Sequence, residues 1–120
     1  PAQALAALDG LEVAGAGRLN PAQVGELNMV QGRALLALGQ KQEAAAALRA
    51  AVAAQRQGEE RSLGAALFLL GQVEGMLGDG EACGSHLAEA LVLTARLGLP
   101  EQHAIRKVIE RIQAQADGDP

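Results

Sequence analysis

The chain has 120 residues and a formal net charge of −4, and 49% of its residues are hydrophobic while only 1% are aromatic. It contains no Trp or Tyr, and Phe68 is its single phenylalanine. An acidic chain with few aromatics and no long Lys/Arg block lacks the features of a nucleic-acid-binding protein. A core of Ala and Leu suits closely packed helices and fits a sheet poorly, so we expect one all-α domain.

The hydrophobic spacing predicts about six helices separated by short turns. The predicted segments are 2–13, 20–38, 41–57, 59–77, 81–97 and 101–115. Asn20, Pro21 and Gln23 form the pattern of a capping box with proline at the first helical position, which marks a helix start. The four helices predicted between residues 20 and 97 each stop at a glycine: Gly39, Gly58, Gly78 and Gly98.

The dipeptide Leu38-Gly39 recurs 39 positions later as Leu77-Gly78. Residues around it recur with the same offset: Gly32 as Gly71, Ala44 as Cys83, Leu48 as Leu87 and Ala51 as Ala90. A repeat of this length is typical of stacked helical units that cover each other's apolar faces. Gly32 and Gly71 are predicted to admit close approach of the partner helix, whereas the pattern gives no reason for the other intrahelical glycines.

These recurring positions resemble the tetratricopeptide repeat (TPR), which has a small residue in its first helix, Gly at the turn, and Ala, a large apolar residue and Ala in its second. The resemblance implies a right-handed α-solenoid of antiparallel helix hairpins. Its parts would be a half repeat at 1–17, repeats at 20–58 and 59–98, a capping helix at 100–116 and a tail at 117–120. Two departures are the long period and the replacement of a family aromatic by Leu35 and Glu74.

The long period is similar to repeats in large bacterial transcription regulators and signalling ATPases. In those proteins the array is a sensor or partner-docking arm. The resemblance therefore implies a non-catalytic, cytoplasmic scaffold that binds a peptide or partner domain in a concave groove. An alternative is a structural spacer or dimerisation arm that acts through its end faces.

The family's groove positions imply a set of partner-binding residues in this chain: Glu26, Met29, Arg33, Phe68, Gln72, Lys107 and Arg111. Phe68 would be the apolar anchor, and the cations Arg33, Lys107 and Arg111 would set the charge preference. The competing interpretation is that Phe68 is a core residue and the cations form a solvated face.

The first predicted helix carries Leu5, Leu8 and Leu11 on one face, and no preceding helix is present in this sequence to cover it. We therefore expect this face to self-associate, as a homodimer contact, or to be covered by a neighbouring domain.

The sequence shows no catalytic constellation and no phosphate-binding loop, so we expect neither an enzyme nor a cofactor. Cys83 and His86 are three positions apart on one predicted helix, and only His103 is an obvious third ligand. Zinc needs three or four ligands, so we expect no metal site. A membrane partner is not expected either, because no apolar run reaches about 18 residues. A small-molecule site would need more polar lining groups than the sequence offers.

Overall fold

The computed structural model describes residues 19–118, and these residues form five helices and no strand. The helices are α1 (Pro21–Ala37), α2 (Lys41–Gln55), α3 (Glu60–Met76), α4 (Gly80–Arg96) and α5 (Glu101–Asp117). The all-α prediction is confirmed for this part of the chain. The helix predicted at 2–13, with Leu5, Leu8 and Leu11, lies outside the described residues, as does the half repeat at 1–17.

The start of α1 is fixed by the predicted capping box. The backbone N–H of Gln23 donates to Asn20 Oδ1 at 2.8 Å, and the backbone N–H of Asn20 donates to Gln23 Oε1 at 3.0 Å. These bonds satisfy two donors that would otherwise have no partner at the helix end. Pro21 occupies the first helical position, where its missing N–H costs nothing.

Three predicted glycine turns have the geometry that favours glycine. Gly39, Gly78 and Gly98 have φ values of 79°, 85° and 67°. After each glycine, the next N–H donates back to a carbonyl in the preceding helix, and all three bonds are 2.9 Å long. This pattern closes the C-terminus of a helix and turns the chain sharply. It therefore makes α1–α2 and α3–α4 helical hairpins with three-residue connections.

Gly58 differs from the other three predicted stops. The helix ends at Gln55, and Gly58 does not have a positive φ. The buried side chain of Gln55 organises this turn: its Nε2 donates to the Ala22 carbonyl and its Oε1 accepts from the Glu59 N–H, both at 3.1 Å. A Cβ at Gly58 would lie 2.5 Å from Gln55 Oε1 and 3.1 Å from the Ala22 backbone, so a side chain here would disturb the hydrogen-bonded turn.

Consecutive helices pack against one another, and α1 also contacts α3. One continuous apolar core runs through all five helices. Its fully buried large members include Leu48, Leu67, Leu70 and Ile105.

The 39-residue repeat is visible in the packing. A Cβ on Gly32 would lie 2.8 Å from Leu48 Cδ2, and a Cβ on Gly71 would lie 2.9 Å from Leu87 Cδ2. These distances are too short for a real side chain, so both glycines let the second helix of their hairpin approach closely. The predicted reason for the repeated glycines is confirmed.

A second pair of glycines, Gly25 and Gly64, is also separated by 39 positions. The sequence pattern gave no reason for these two residues. Gly25 faces the side chain of Gln55, and Gly64 faces Thr94, whose Cγ2 is 3.1 Å from a hypothetical Cβ. Gln55 and Thr94 are themselves 39 positions apart and are both buried. Glycine therefore makes room for a buried polar side chain at equivalent positions of both hairpins.

The two hairpins differ in polarity at one group of three equivalent positions. In the first, Leu35, Ala44 and Ala47 form a small apolar cluster. The equivalent residues of the second hairpin are Glu74, Cys83 and His86. An apolar contact in the first repeat is thus a polar one in the second.

Candidate functional site

A cavity of about 340 Å³ opens between α1, α3 and α5. We call it the α1/α3/α5 cavity, and it is lined by Arg33, Arg61, Gly64, Ala65, Phe68, Leu69, Gln72, Thr94, Leu99, Glu101 and Ile105. Its volume falls in the lower part of the range of roughly 300–1,000 Å³ that is usual for ligand sites. That size suits one or two side chains of a partner segment.

Helix α3 supplies the wall of this cavity because its lining residues recur with helical spacing. Arg61, Ala65, Phe68 and Gln72 are separated by four, three and four positions, which places them along one stripe of the helix. Ala65 is exposed, so the middle of the stripe is open. Polar residues stand at both ends of the stripe, and Phe68 lies between them.

Phe68 combines the two roles that the sequence left as alternatives. It is partly buried and packs against the core, and it also lines the α1/α3/α5 cavity. Arg33 and Gln72 line the same cavity, so three of the seven predicted groove residues are brought together.

Met29 requires a correction. Its side chain is only 4% exposed and belongs to the core cluster, so it is not available to a partner. Glu26 is exposed but does not line the cavity; its carboxylate accepts a hydrogen bond from Ser62 Oγ at 3.2 Å.

The part of α5 that lines the cavity differs from the part that the family resemblance implied. Its lining residues are Glu101 and Ile105, which belong to its first two turns. Lys107 and Arg111 are exposed farther along α5 and are not among the lining residues. The C-terminal half of α5 therefore does not supply the positive charge predicted there.

Sequence reasoning missed Arg61 as a lining residue, although a signal for it was present. Arg61 precedes Ala65 by four positions on the stripe that carries Phe68. Extending that stripe by one turn toward the helix start would have found it.

The charges around the cavity are unbalanced. Neither Arg33 nor Arg61 forms an ion pair with a carboxylate of residues 19–118. Glu101 is the only carboxylate among the described lining residues. The cavity thus carries two cationic groups and one anionic group around an apolar interior, in a chain whose net charge is −4.

A second cavity, of about 650 Å³, lies between α2, α4 and the start of α3, and we call it the α2/α4 cavity. Its charged residues are paired: Arg56 donates to Glu89 through both terminal nitrogens, at 2.5 and 2.9 Å, and Arg96 lies 3.2 Å from Glu60. Val92 lines the same cavity and is 68% exposed. In the sequence it lies between Glu89 and Arg96, which each belong to one of these pairs. This larger cavity is therefore electrically balanced.

The Arg56–Glu89 pair predicts a pH dependence of stability. The hydrogen bond from Arg56 holds the pKa of Glu89 below its ordinary value. A lowered pKa means that the pair stabilises the fold above the unfolded-state pKa of the carboxyl, and that this contribution is lost as pH falls through the lowered pKa. We expect Arg56→Gln to cost less than about 1 kcal/mol at neutral pH, because both side chains are exposed to solvent. Urea unfolding of both proteins should show this difference shrinking in acid; a difference that stays constant would contradict the role of the pair.

A buried polar cluster joins α2, α3 and α4. The Glu74 carboxyl is 2% exposed; its Oε1 lies 2.5 Å from His86 Nδ1 and its Oε2 lies 4.0 Å from Arg49 Nη2. The contact between Glu74 Oε1 and His86 Nδ1 is a hydrogen bond that joins α3 to α4. Burial, together with the nearby Glu74 carboxylate, raises the pKa of the Cys83 thiol, which keeps it protonated and unreactive.

Within residues 19–118, no three His, Cys, Asp or Glu side chains are grouped so that they could hold a metal ion. None of the described helices is both long enough and apolar enough to cross a membrane.

The described residues define the class of the protein as an all-α array of helical hairpins with a repeated packing pattern. No family model, curated protein or solved structure matches the chain.

Proposed function

We propose that this chain is a non-catalytic protein–protein interaction module that holds a segment of a partner protein in the α1/α3/α5 cavity. In this proposal the hairpins belong to a TPR-like right-handed solenoid within a larger bacterial regulatory protein of the cytoplasm. The module acts by shape and charge complementarity on a stiff helical frame. It needs no cofactor and performs no reaction.

The observation that carries the proposal is that alternate helices converge on one open cavity. Lining residues come from α1, α3 and α5, so a segment seated there contacts successive hairpins at once. Phe68 offers a rigid apolar surface that is already packed against the core, so little side-chain freedom is lost on binding.

The chemistry of the lining supports binding over catalysis. Among the described lining residues there is no His, Cys or Ser, Glu101 is the single acid, and the Thr94 hydroxyl already donates to the Ala90 carbonyl at 2.8 Å. A general base or nucleophile needs a partner group within hydrogen-bond reach, and the lining offers no such pair.

Ala65→Leu tests the proposal because it fills the cavity from an exposed position on α3. The added side chain would occupy the space beside Phe68 without entering the core, so we expect the fold to persist and partner binding to fall at least about tenfold, the effect of losing roughly 1.4 kcal/mol. Pull-down from native lysate with the wild type and the variant measures this effect. Circular dichroism and thermal unfolding check the fold.

Ala53→Leu is the matched control, since Ala53 is also exposed on a helix but lines neither cavity. A partner lost with Ala65→Leu and retained with Ala53→Leu supports the module. If both variants retain the same proteins, the cavity is not the working surface. Retention of only further copies of the chain would favour the alternative role as a spacer or dimerisation arm.

A further inference from the structure

We infer that the partner segment is an acidic stretch of polypeptide with an apolar side chain next to its acidic residues. This inference rests on the proposed function of the α1/α3/α5 cavity and adds the chemistry of its occupant. It follows from three features of the cavity: two cations that form no ion pair within residues 19–118, an apolar interior and the contrast with the α2/α4 cavity.

The cations stand on two different helices. Arg33 is on α1 and Arg61 is on α3, and both side chains are exposed at the same cavity. Neither is paired with a carboxylate of the described residues, so no ion pair among those residues has to break before either arginine binds a ligand. Guanidinium groups bind carboxylates through paired hydrogen bonds, so two such groups favour an acidic segment.

The interior of the cavity is apolar. The partly buried side chains of Phe68, Leu69 and Leu99 supply this surface, and the small Ala65 leaves room above it. Burial of an apolar side chain contributes about 25 cal/mol per Å² of area removed from water, so an aliphatic or aromatic anchor is favoured there. A wholly charged ligand would leave this surface uncovered.

The α2/α4 cavity provides an internal comparison. It also contains two lining arginines, Arg56 and Arg96, but Glu89 and Glu60 neutralise them. An acidic ligand bound there would have to displace carboxylates that are already in place. Of these two cavities, the α1/α3/α5 cavity is therefore the one whose charges favour an acidic ligand.

Selection from a displayed library of short random peptides tests the inference. The library is selected on the wild type and counter-selected on Ala65→Leu, so that only peptides that need the open cavity are retained. We expect these peptides to be enriched in Asp and Glu beside Leu, Ile or Phe. A selection on the double variant Arg33→Glu/Arg61→Glu should instead favour Lys and Arg.

The outcomes separate the inference from the proposed function. Cavity-dependent peptides without an acidic bias would overturn the inference and leave the proposed function standing. If no peptide depends on the open cavity, the proposed function itself fails. Cavity-dependent peptides with a basic bias would also overturn the inference.

Affinities of one selected peptide, measured by fluorescence polarisation, give a quantitative test. Arg61→Glu should weaken its binding about tenfold, and added salt should weaken binding to the wild type. Glu101→Gln should strengthen binding about twofold, because it removes the single carboxylate among the described lining residues. Arg106→Glu is the matched control: it makes the same change of net charge at an exposed residue of α5 that does not line the cavity. An equal loss with Arg106→Glu and Arg61→Glu would overturn the inference, because the effect would then come from net charge alone.

Discussion

His86→Ala is expected to lower the free energy of unfolding by about 2–3 kcal/mol, because it leaves the Glu74 carboxylate buried without its nearest partner. Glu74 is 2% exposed, and Arg49 is 4.0 Å away and mostly in solvent, so Arg49 cannot replace the lost contact. Full burial of the pair would predict a larger loss, but the His86 side chain is 25% exposed, which lets water reach the site.

The double variant Glu74→Leu/His86→Ala provides the decisive comparison. It gives the second hairpin the apolar contact that Leu35 and Ala47 already make in the first. Replacing both members of a buried pair with apolar groups is often neutral or stabilising, so we expect the double variant to lie within about 1 kcal/mol of the wild type. Urea unfolding measures all three proteins. Additive losses in the double variant would show that the polar cluster is not an interchangeable counterpart of the apolar one.

Gly71→Ala is expected to destabilise the protein by about 1–2 kcal/mol, although alanine is the better helix former by about 1 kcal/mol. The new Cβ would lie 2.9 Å from both Cγ and Cδ2 of Leu87 and 3.3 Å from the Cys83 carbonyl oxygen. Leu87 is fully buried, so it has little room to retreat.

Gly84→Ala is the matched control on the neighbouring helix. Gly84 is exposed in α4, and nothing lies within 4 Å of its hypothetical Cβ. The same substitution there should stabilise the protein by about 0.5–1 kcal/mol through helix propensity alone. Opposite signs in thermal unfolding would establish close approach as the reason for Gly71, and a stabilising Gly71→Ala would refute it.

The helices were predictable from the sequence because local chemistry fixes their ends. The Asn20 capping box and the left-handed glycines at 39, 78 and 98 are read from neighbouring residues. The turn at Gly58 could not be predicted in this way, because its geometry depends on a hydrogen bond from Gln55 to Ala22, 33 positions away. The nature of that turn therefore depends on tertiary contacts.

The candidate site was only partly predictable. Helical spacing places Phe68 and Gln72 on one stripe, and both line the cavity. The burial of Met29 depends on how closely α1 packs against its neighbours. The glycine positions indicate close packing, but they do not give the distance between the helices. The contribution of Glu101 and Ile105 depends on how α5 docks after Pro100, and no local pattern encodes that angle.

The polar cluster shows a further limit of sequence reading. Glu74 and His86 are at positions equivalent to apolar ones, so the repeat pattern alone marks them only as departures. Their contact follows from the hairpin geometry, because residues 74 and 86 face each other across the turn.

Site-specific photo-crosslinking in cells tests the central claim most directly. A benzophenone amino acid replaces Gln72 in the α1/α3/α5 cavity or, in a second protein, Val92 in the α2/α4 cavity. We predict that the Gln72 probe crosslinks to a partner protein and that Ala65→Leu abolishes this product, whereas the Val92 probe does not capture it. Capture of the same partner only from Val92, or a Gln72 product that contains only a second copy of this chain, would contradict the account.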